Sequence, residues 1–467
     1  MQKTYQDLLE VGEREDQRME FVRSLIQQRS DDPLYKTAVI ADQYDRHQNV
    51  TIKQFQKILY TVTGKAVPDN YSANYKLASR FFNRFVVQEN QFLLGNGISW
   101  NNEATKTKLG EDFDSKVQKL GKDALVQSVA FGFWNYDHLE TFDYLEFIPL
   151  YDEENGSLSA GVRYWQISPQ KPLRATLYEM DGYTEYIWRN GQGEVLKEKR
   201  KYITRYVRTE ADGTMIYDGE NYPGFPIVPL YGNPHHQSEI VGLQEQIDCY
   251  DLIKSGFANT VDEASLIYWT IKNAGGMDDV DMAEFVQRIR QLHVATATDE
   301  ASAEPHQLEA PYNSREALLD RLRSDLYEDA MALDTKSIAG GAVTATQIKA
   351  AYEPLRSKAS QFEYCVLDFL QGIMAIAGID DKPTFTPDML INQNEEIQTV
   401  VSAGEYLDQE YVTTKILTIL GDADKVKEVL ARMSAEEVTA FSVEPEETEP
   451  DLEQPNEGVN LNGEETA

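Results

Sequence analysis

Apolar residues recur every three or four positions along most of this chain, and near its middle they switch to recurring every second position. The first spacing lays one side of a helix against a core, and the second lays one face of a strand there. The clearest helical pair falls between 311 and 378. Asn313 followed by Glu316 is a helix start, since the two side chains can satisfy free N–H groups of the first turn. Leu318, Leu322, Leu326, Ala330 and Leu333 then form one narrow apolar stripe, edged by Arg315, Asp320, Arg321, Arg323 and Asp325. The pattern stops at Gly340-Gly341 and restarts at once with Thr344 and Gln347, a second capping pair. The next helix is longer. It presents Ile348, Tyr352, Leu355, Phe362, Val366, Phe369, Leu370 and Ile373 on one face, ends at Gly378, and is expected to kink at Pro354. Upstream, residues 238–264 place Ile240, Leu243, Ile247, Tyr250, Ile253, Phe257 and Val261 on a single face, which supplies the partner that the Leu318 stripe requires.

The same reading predicts a helix over residues 1–30 that ends before Pro33, another over 73–94 through Leu77, Phe81, Phe85 and Val86, and a third over 111–130, with a turn at Gly132. Strands are predicted at 142–150, 161–167, 175–178, 185–188 and 202–207. The turn signals Glu154-Asn155-Gly156, Asp181-Gly182, Asn190-Gly191 and Asp212-Gly213 separate them as in a meander of hairpins. The fold class is therefore α+β, with the β-rich part at about 139–232. The many tyrosines there are read as core and sheet-face residues, because aromatic side chains suit strands. Between the two partner helices, 266–271, 292–294 and 305–308 read as strands and 280–289 as a short helix. Short helices are predicted at 393–404, 408–420 and 423–433. Residues 441–467 hold nine acids, no Lys or Arg, and Pro445, Pro450 and Pro455, a composition expected to stay disordered.

Composition narrows the function. The 44 Lys and Arg stand against 78 Asp and Glu, giving a net charge of −34, so a broad DNA-gripping surface and adhesion to anionic membranes are both disfavoured. Hydrophobic residues make up 41% of the chain, enough for a substantial core. The longest apolar run, 366–379, contains Asp368 and Gln371 and is shorter than the roughly 20 residues that a bilayer requires. No apolar signal segment opens the sequence. Cys249 and Cys365 are expected to be buried free thiols. Catalytic patterns are missing. His235-His236 are adjacent and point apart, Asp278-Asp279-Val280-Asp281 lacks the glycine and terminal glutamate of a calcium loop, and Gly340-Gly341 lacks the Lys-Ser/Thr ending of a phosphate loop. No catalytic, metal-binding or cofactor-binding residue is assigned, and no enzymatic activity is expected.

Several ordered features resemble the portal proteins of tailed bacteriophages, the head-to-tail connectors. They are the helix from Asn74-Tyr75-Lys76 to Leu94-Gly95, and the strand pair of residues 142–152 with Gly161-Val162-Arg163-Tyr164-Trp165. Next come Ile227-Val228-Pro229 leading to Ser238-Glu239-Ile240, then Ile247-Asp248-Cys249-Tyr250-Asp251 with Asn259, and Thr344-Ala345-Thr346-Gln347-Ile348. Gln347, where the family pattern has an acid, and Pro354 depart from it.

The resemblance implies a portal fold: a wing over 1–235, stem helices at 236–264 and 313–334, a small α/β clip at 265–312, and a tunnel loop at 335–346. A long wing helix at 347–378 and a helical crown at 379–440 complete it. It further implies a ring of about twelve or thirteen copies built from head-to-tail contacts. Double-stranded DNA would pass through that ring without sequence-specific binding during packaging and ejection. The implied partners are the large terminase subunit, a head–tail adaptor, and the major capsid and scaffold proteins; the implied location is the virion vertex, after assembly in the host cytoplasm. Lys336, Gly340, Gly341, Thr344 and Lys349 are the expected DNA-proximal positions, with pairing of both lysines to acids of an adjacent subunit as the alternative. Leu266, Tyr268, Trp269 and Ile271 are the expected docking positions of the clip. Ile247, Tyr250, Phe257, Leu318, Leu322 and Leu326 are expected to pack the stem. Two other classes are an oligomeric adaptor without a DNA channel and a hydrolase whose acidic metal site converges from distant segments.

Overall fold

The computed structural model describes residues 3–60, 64–69, 73–209, 215–264, 267–272, 302–307, 312–337, 345–387, 393–404, 406–420 and 425–441. The chain divides into two compact units, Met1–Met389 and Leu390–Ala467.

The single helix expected over residues 1–30 is two helices, α1 (Tyr5–Val11) and α2 (Glu15–Gln28). Gly12 separates them with φ 73°, a left-handed conformation that ends a helix cheaply only at glycine. Asp32 then caps α3 (Pro33–Asp45) by accepting from the Leu34 N–H, and α4 (Val50–Gln54) and the short pair β1 (Ile58–Tyr60) and β2 (Ala66–Pro68) come next. The helix predicted from residue 73 begins only at Phe81, as α5 (Phe81–Leu94). Beyond β3 (Ile98–Trp100) and α6 (Glu103–Leu109), α7 (Phe113–Gln127) carries Val117, Leu120 and Leu125 into the core.

The β-rich part is not one meander. Strand β4 (Val129–Asn135) is central in a three-stranded sheet between β5 (His138–Asp143) and β13 (Ile227–Tyr231). The strands β6 (Phe147–Tyr151), β7 (Leu158–Trp165), β8 (Leu173–Glu179), β9 (Gly182–Arg189) and β10 (Gln192–Arg200) form a separate antiparallel sheet. A ribbon of β11 (Ile203–Thr209) and β12 (Met215–Glu220) completes this part. Residues 142–150, predicted as one strand, thus divide between two sheets. The Asp143 carboxylate accepts from the Leu145 and Glu146 N–H groups, and Arg29 donates to the carbonyls of Tyr144 and Phe147, so the backbone turns where the apolar alternation continues. Gly132 lies inside β4 rather than at a turn. A Cβ there would sit 2.6 Å from the Phe369 ring, so the strand admits only glycine beneath that side chain.

After β13 the chain forms α8 (Gln244–Ala264), then β14 (Ile267–Lys272), which pairs with β15 (Ser302–Gln307), then α9 (Tyr312–Asp329). The long α10 (Ala345–Ala377) runs as one helix through Pro354 and packs on β13, β4 and α5. Its Phe362, Val366, Phe369, Leu370 and Ile373 are fully buried in the main core, with α5, α7 and the bases of α8 and α9. Residues 383–385 form β16 (Pro383–Phe385), antiparallel to β3 and so part of the first unit. The predicted helix at 280–289, the strand at 292–294 and the tail at 442–467 lie outside the described residues. In the second unit α11 (Gln393–Ala403) packs on α12 (Gln409–Leu420) and α12 on α13 (Val426–Phe441), and none of its described side chains is fully buried.

The two cysteines correct the sequence reading. Cys249 is exposed and Cys365 half-buried. On α8 the buried positions are Ile247, Asp251, Ser255 and Asn259, and at 100° per residue Cys249 falls on the opposite side.

Candidate functional site

Helices α8 and α9 lie side by side, and their contact changes character along its length. At one end Ile247 and Leu326 are completely buried, and Tyr250 stands edge-on to Phe81 with ring centroids 5.0 Å apart. Leu322 is half-buried. Toward the other end Phe257 meets Tyr312 at 5.7 Å, Arg315 donates to the Thr260 hydroxyl at 2.6 Å, and Leu318 is 46% exposed. Tyr312 and Val261 are exposed as well. The apolar stripe therefore continues onto a surface that no element of the described chain covers.

A second face of α8 is polar yet buried. Asp251, Ser255 and Asn259, four residues apart, accept hydrogen bonds from the backbone N–H groups of Ser79 (2.9 Å), Leu77 (2.9 Å) and Tyr75 (2.7 Å). Four residues of helix advance about 6 Å and two residues of extended chain about 6.6 Å, so the rungs stay in step. This ladder is why residues 73–80 are extended against α8 rather than helical. Asn49 also donates to Asp251, and Tyr44 and Thr51 donate to Asp248 one turn earlier. Burial raises the Asp251 pKa, and the bonds from Asn49 and Ser79 oppose that shift. Replacing Asn259 with Ala is expected to speed hydrogen exchange of the Tyr75 amide about fivefold, the equivalent of about 1 kcal/mol, while the global unfolding midpoint moves little. An unchanged Tyr75 amide would show that the ladder does not hold this segment.

The chain after α9 is clamped from two sides. Met331 takes φ 52°, turning the backbone so that Leu333 enters a pocket formed by Phe92, Tyr352 and Leu355. The Gln88 side chain donates to the Leu333 carbonyl (3.1 Å) and accepts from its N–H (3.0 Å). Arg323 grips both carboxylate oxygens of Asp334 at 2.7 and 2.6 Å, which holds the Asp334 pKa below its ordinary value. Asp334 in turn accepts from the Lys336 N–H. Lys336 and Lys349 are both exposed, the first in a short turn and the second on the first turns of α10. Gly340, Gly341, Thr344 and Leu266 lie outside the described residues. Tyr268, Trp269 and Ile271 occur on β14 opposite His306, Pro305 and Ala303.

Sequence reasoning missed the ladder, the Gln88 clamp and the Arg323–Asp334 fork. The ladder left one signal, three polar residues at i, i+4 and i+8 of an otherwise apolar helix; the others left none. Among the described residues no three or more His, Cys, Asp or Glu side chains cluster so as to hold a metal, and no helix is long and apolar enough to cross a membrane.

The chain is 23% identical over 368 residues to the portal protein of Bacillus phage SPP1, covering 73% of this chain and 69% of that one. It is 24% identical over 181 residues to the portal protein of Clostridium phage phiCD119, covering 37% of this chain and 40% of that one. Among solved structures it is similar to a chain from the neck of the native GTA particle computed with C12 symmetry (9% identity, TM-score 0.39, 72% of this chain and 89% of that one). It is also similar to one from the neck of the empty particle computed with C6 symmetry (8% identity, TM-score 0.43, 73% and 90%). The family profile described as "Phage portal protein, SPP1 Gp6-like" matches residues 41–440, which include α8 and α9, the ladder and the clamped segment after α9: the chain belongs to the SPP1 Gp6-like family of phage portal proteins.

Proposed function

We propose that this chain assembles into a closed ring around a channel at a capsid vertex, and that double-stranded DNA passes through the channel during packaging and ejection. The observation that carries this reading is the family match over residues 41–440. Two features of the fold support it. The stem pair leaves Leu318, Tyr312 and Val261 exposed, apolar side chains that contacts with the same pair on an adjacent copy would cover. The root of the loop after α9 is fixed by Gln88 and Arg323, so the loop beyond it is carried on a rigid mount.

In this reading the described parts of 1–235 form the wing, α8 and α9 the stem, and β14 with β15 part of the clip. Residues 335–346 are the tunnel loop, α10 is the long wing helix, and α11 to α13 are the crown. Lys336 and Lys349, with Gly340, Gly341 and Thr344, face the DNA. Tyr268, Trp269, Ile271 and Leu266 dock the terminase large subunit and a head–tail adaptor. The net charge of −34 suits a conduit that must not bind its cargo. Capsid and scaffold proteins are the remaining partners, with assembly in the host cytoplasm and residence in the virion.

Native mass spectrometry with negative-stain imaging of one sample tests the ring. A ring of about twelve or thirteen copies with a central hole is expected, and a closed dimer would overturn the proposal. Leu318→Glu is expected to leave subunit stability within about 0.5 kcal/mol of the parent, because the side chain is already exposed, while lowering the ring fraction at least about tenfold by placing a charge in an apolar contact. If the Leu318→Glu variant forms rings as well as the parent does, this surface is not the subunit contact.

A further inference from the structure

One buried cluster has no part in the ladder or the loop root. The Lys358 ammonium on α10 lies 2.8 Å from a Glu89 oxygen on α5 and 2.6 Å from a Glu239 oxygen in the turn that leads to α8. The Glu89 side chain is 2% exposed, Glu239 15% and Lys358 16%. One cation therefore serves two carboxylates, and with all three groups ionised a full negative charge remains uncompensated in a low-dielectric interior. A single proton removes it. Glu239 also accepts from the Asn233 amide at 2.8 Å, whereas the deeper Glu89 faces Lys358 as its cation and Glu239 as a like charge. Glu89 is thus the carboxylate better placed to take that proton.

We propose that Glu89, Lys358 and Glu239 form a proton-operated clamp that joins α5, α10 and the approach to α8, tight when Glu89 is protonated and looser when it is ionised. Gln88, the neighbouring residue on α5, holds Leu333 through both its N–H and its carbonyl, so the state of the clamp reaches the root of the loop. That consequence rests on the channel reading; the clamp itself does not. The charged groups that face Glu89 are Lys358 from α10 and Glu239 from the turn. On α7, which also packs against α5, Lys122 is paired with Asp45 and Lys119 with Asp123.

Burial raises the Glu89 pKa from 4.5 to about 7, with Lys358 opposing the shift and Glu239 adding to it. For Lys358 burial disfavours the charge, but the two carboxylates outweigh it and hold the pKa above 10.5, outside the window of interest. Between pH 4.5 and about 7 the folded chain therefore keeps a proton that the unfolded chain has released. This contribution to stability is complete below pH 4.5 and is lost as pH rises through about 7.

The test compares melting temperatures of the parent, Glu89→Gln and Glu239→Gln from about pH 5 to about pH 8.5 at one protein concentration. Glu89→Gln keeps the neutral hydrogen-bonding form at every pH, and Glu239→Gln leaves one cation with one anion. The parent is expected to fall by several degrees relative to both variants as pH rises through the window. Its Leu333 amide is expected to exchange faster at about pH 8 than at about pH 6 after correction for intrinsic rates, an acceleration absent in Glu89→Gln and smaller in Glu239→Gln. Parallel melting curves, or a pH effect undiminished in Glu239→Gln, would overturn the clamp; should Glu89→Gln fail to fold, the Glu239→Gln comparison still decides. If the pH effect is present and no ring forms, the channel reading fails and the clamp stands. If rings form and the curves run parallel, the clamp fails alone.

Discussion

Replacing Arg29 with leucine is expected to cost about 3–5 kcal/mol of unfolding free energy, among the largest losses available to a single substitution in this chain. Arg29 is 5% exposed and uses its guanidinium on four oxygens: the Asp32 carboxylate (2.9 Å), the Tyr144 hydroxyl (3.3 Å), and the carbonyls of Tyr144 (2.8 Å) and Phe147 (3.2 Å). It also lies over two aromatic rings, Tyr144 at 4.1 Å and Tyr35 at 4.9 Å. The side chain holds the point where the chain leaves the three-stranded sheet and enters the five-stranded one. Leucine would fill part of the volume but strand a half-buried carboxylate and two inward-facing carbonyls, and such orphaned acceptors carry most of the loss. Lysine keeps the charge and cannot reproduce the fork, so about half of the loss is expected there. Burial already pushes the Tyr144 hydroxyl up to about 12, so that group stays a neutral donor to Asp32 at any physiological pH. Urea denaturation followed by fluorescence measures the shift in midpoint. A loss below about 1 kcal/mol for leucine would mean that the two sheets are joined by packing alone.

How legible each part of this fold was in the sequence depends on how local its causes are. The long α10 announced itself through Phe362, Val366, Phe369, Leu370 and Ile373, because a stripe of that length has one helical solution. The hairpin of β8 and β9 was equally readable, since Asp181-Gly182 fixes both turn and register, whereas the strand β10 beyond the Asn190-Gly191 turn was not expected. The failures came where a distant group overrode a local pattern. Residues 73–80 have helical spacing, but Asp251, Ser255 and Asn259, between 172 and 184 positions on, claim their amides. The alternation of 142–150 runs unbroken through a backbone that Arg29 bends, and Gly132 reads as a turn until Phe369 is placed over it. The family was legible because order and spacing of weak features survive such local errors. The ladder, the loop root and the Lys358 cluster were not, since each joins residues whose proximity only the folded chain creates.

The contact between Phe369 and Gly132 supplies the second large effect, and a double substitution separates its causes. Phe369 is 1% exposed in the main core, and Phe369→Ala is expected to cost about 3–5 kcal/mol, the loss of a buried ring together with the cavity it leaves. Gly132→Ala alone drives a methyl to 2.6 Å from that ring and 3.0 Å from Leu139, an overpacking expected to cost about 1–3 kcal/mol. Together the two changes relieve each other, because the new methyl enters space that the ring has vacated. The double variant is therefore expected to be more stable than the sum of the single losses by at least about 1 kcal/mol. Additive losses would show that β4 and α10 shift apart to accommodate either change. In that event the glycine would answer to the strand's own backbone rather than to the helix above it, and the joint between sheet and helix would be softer than its packing implies.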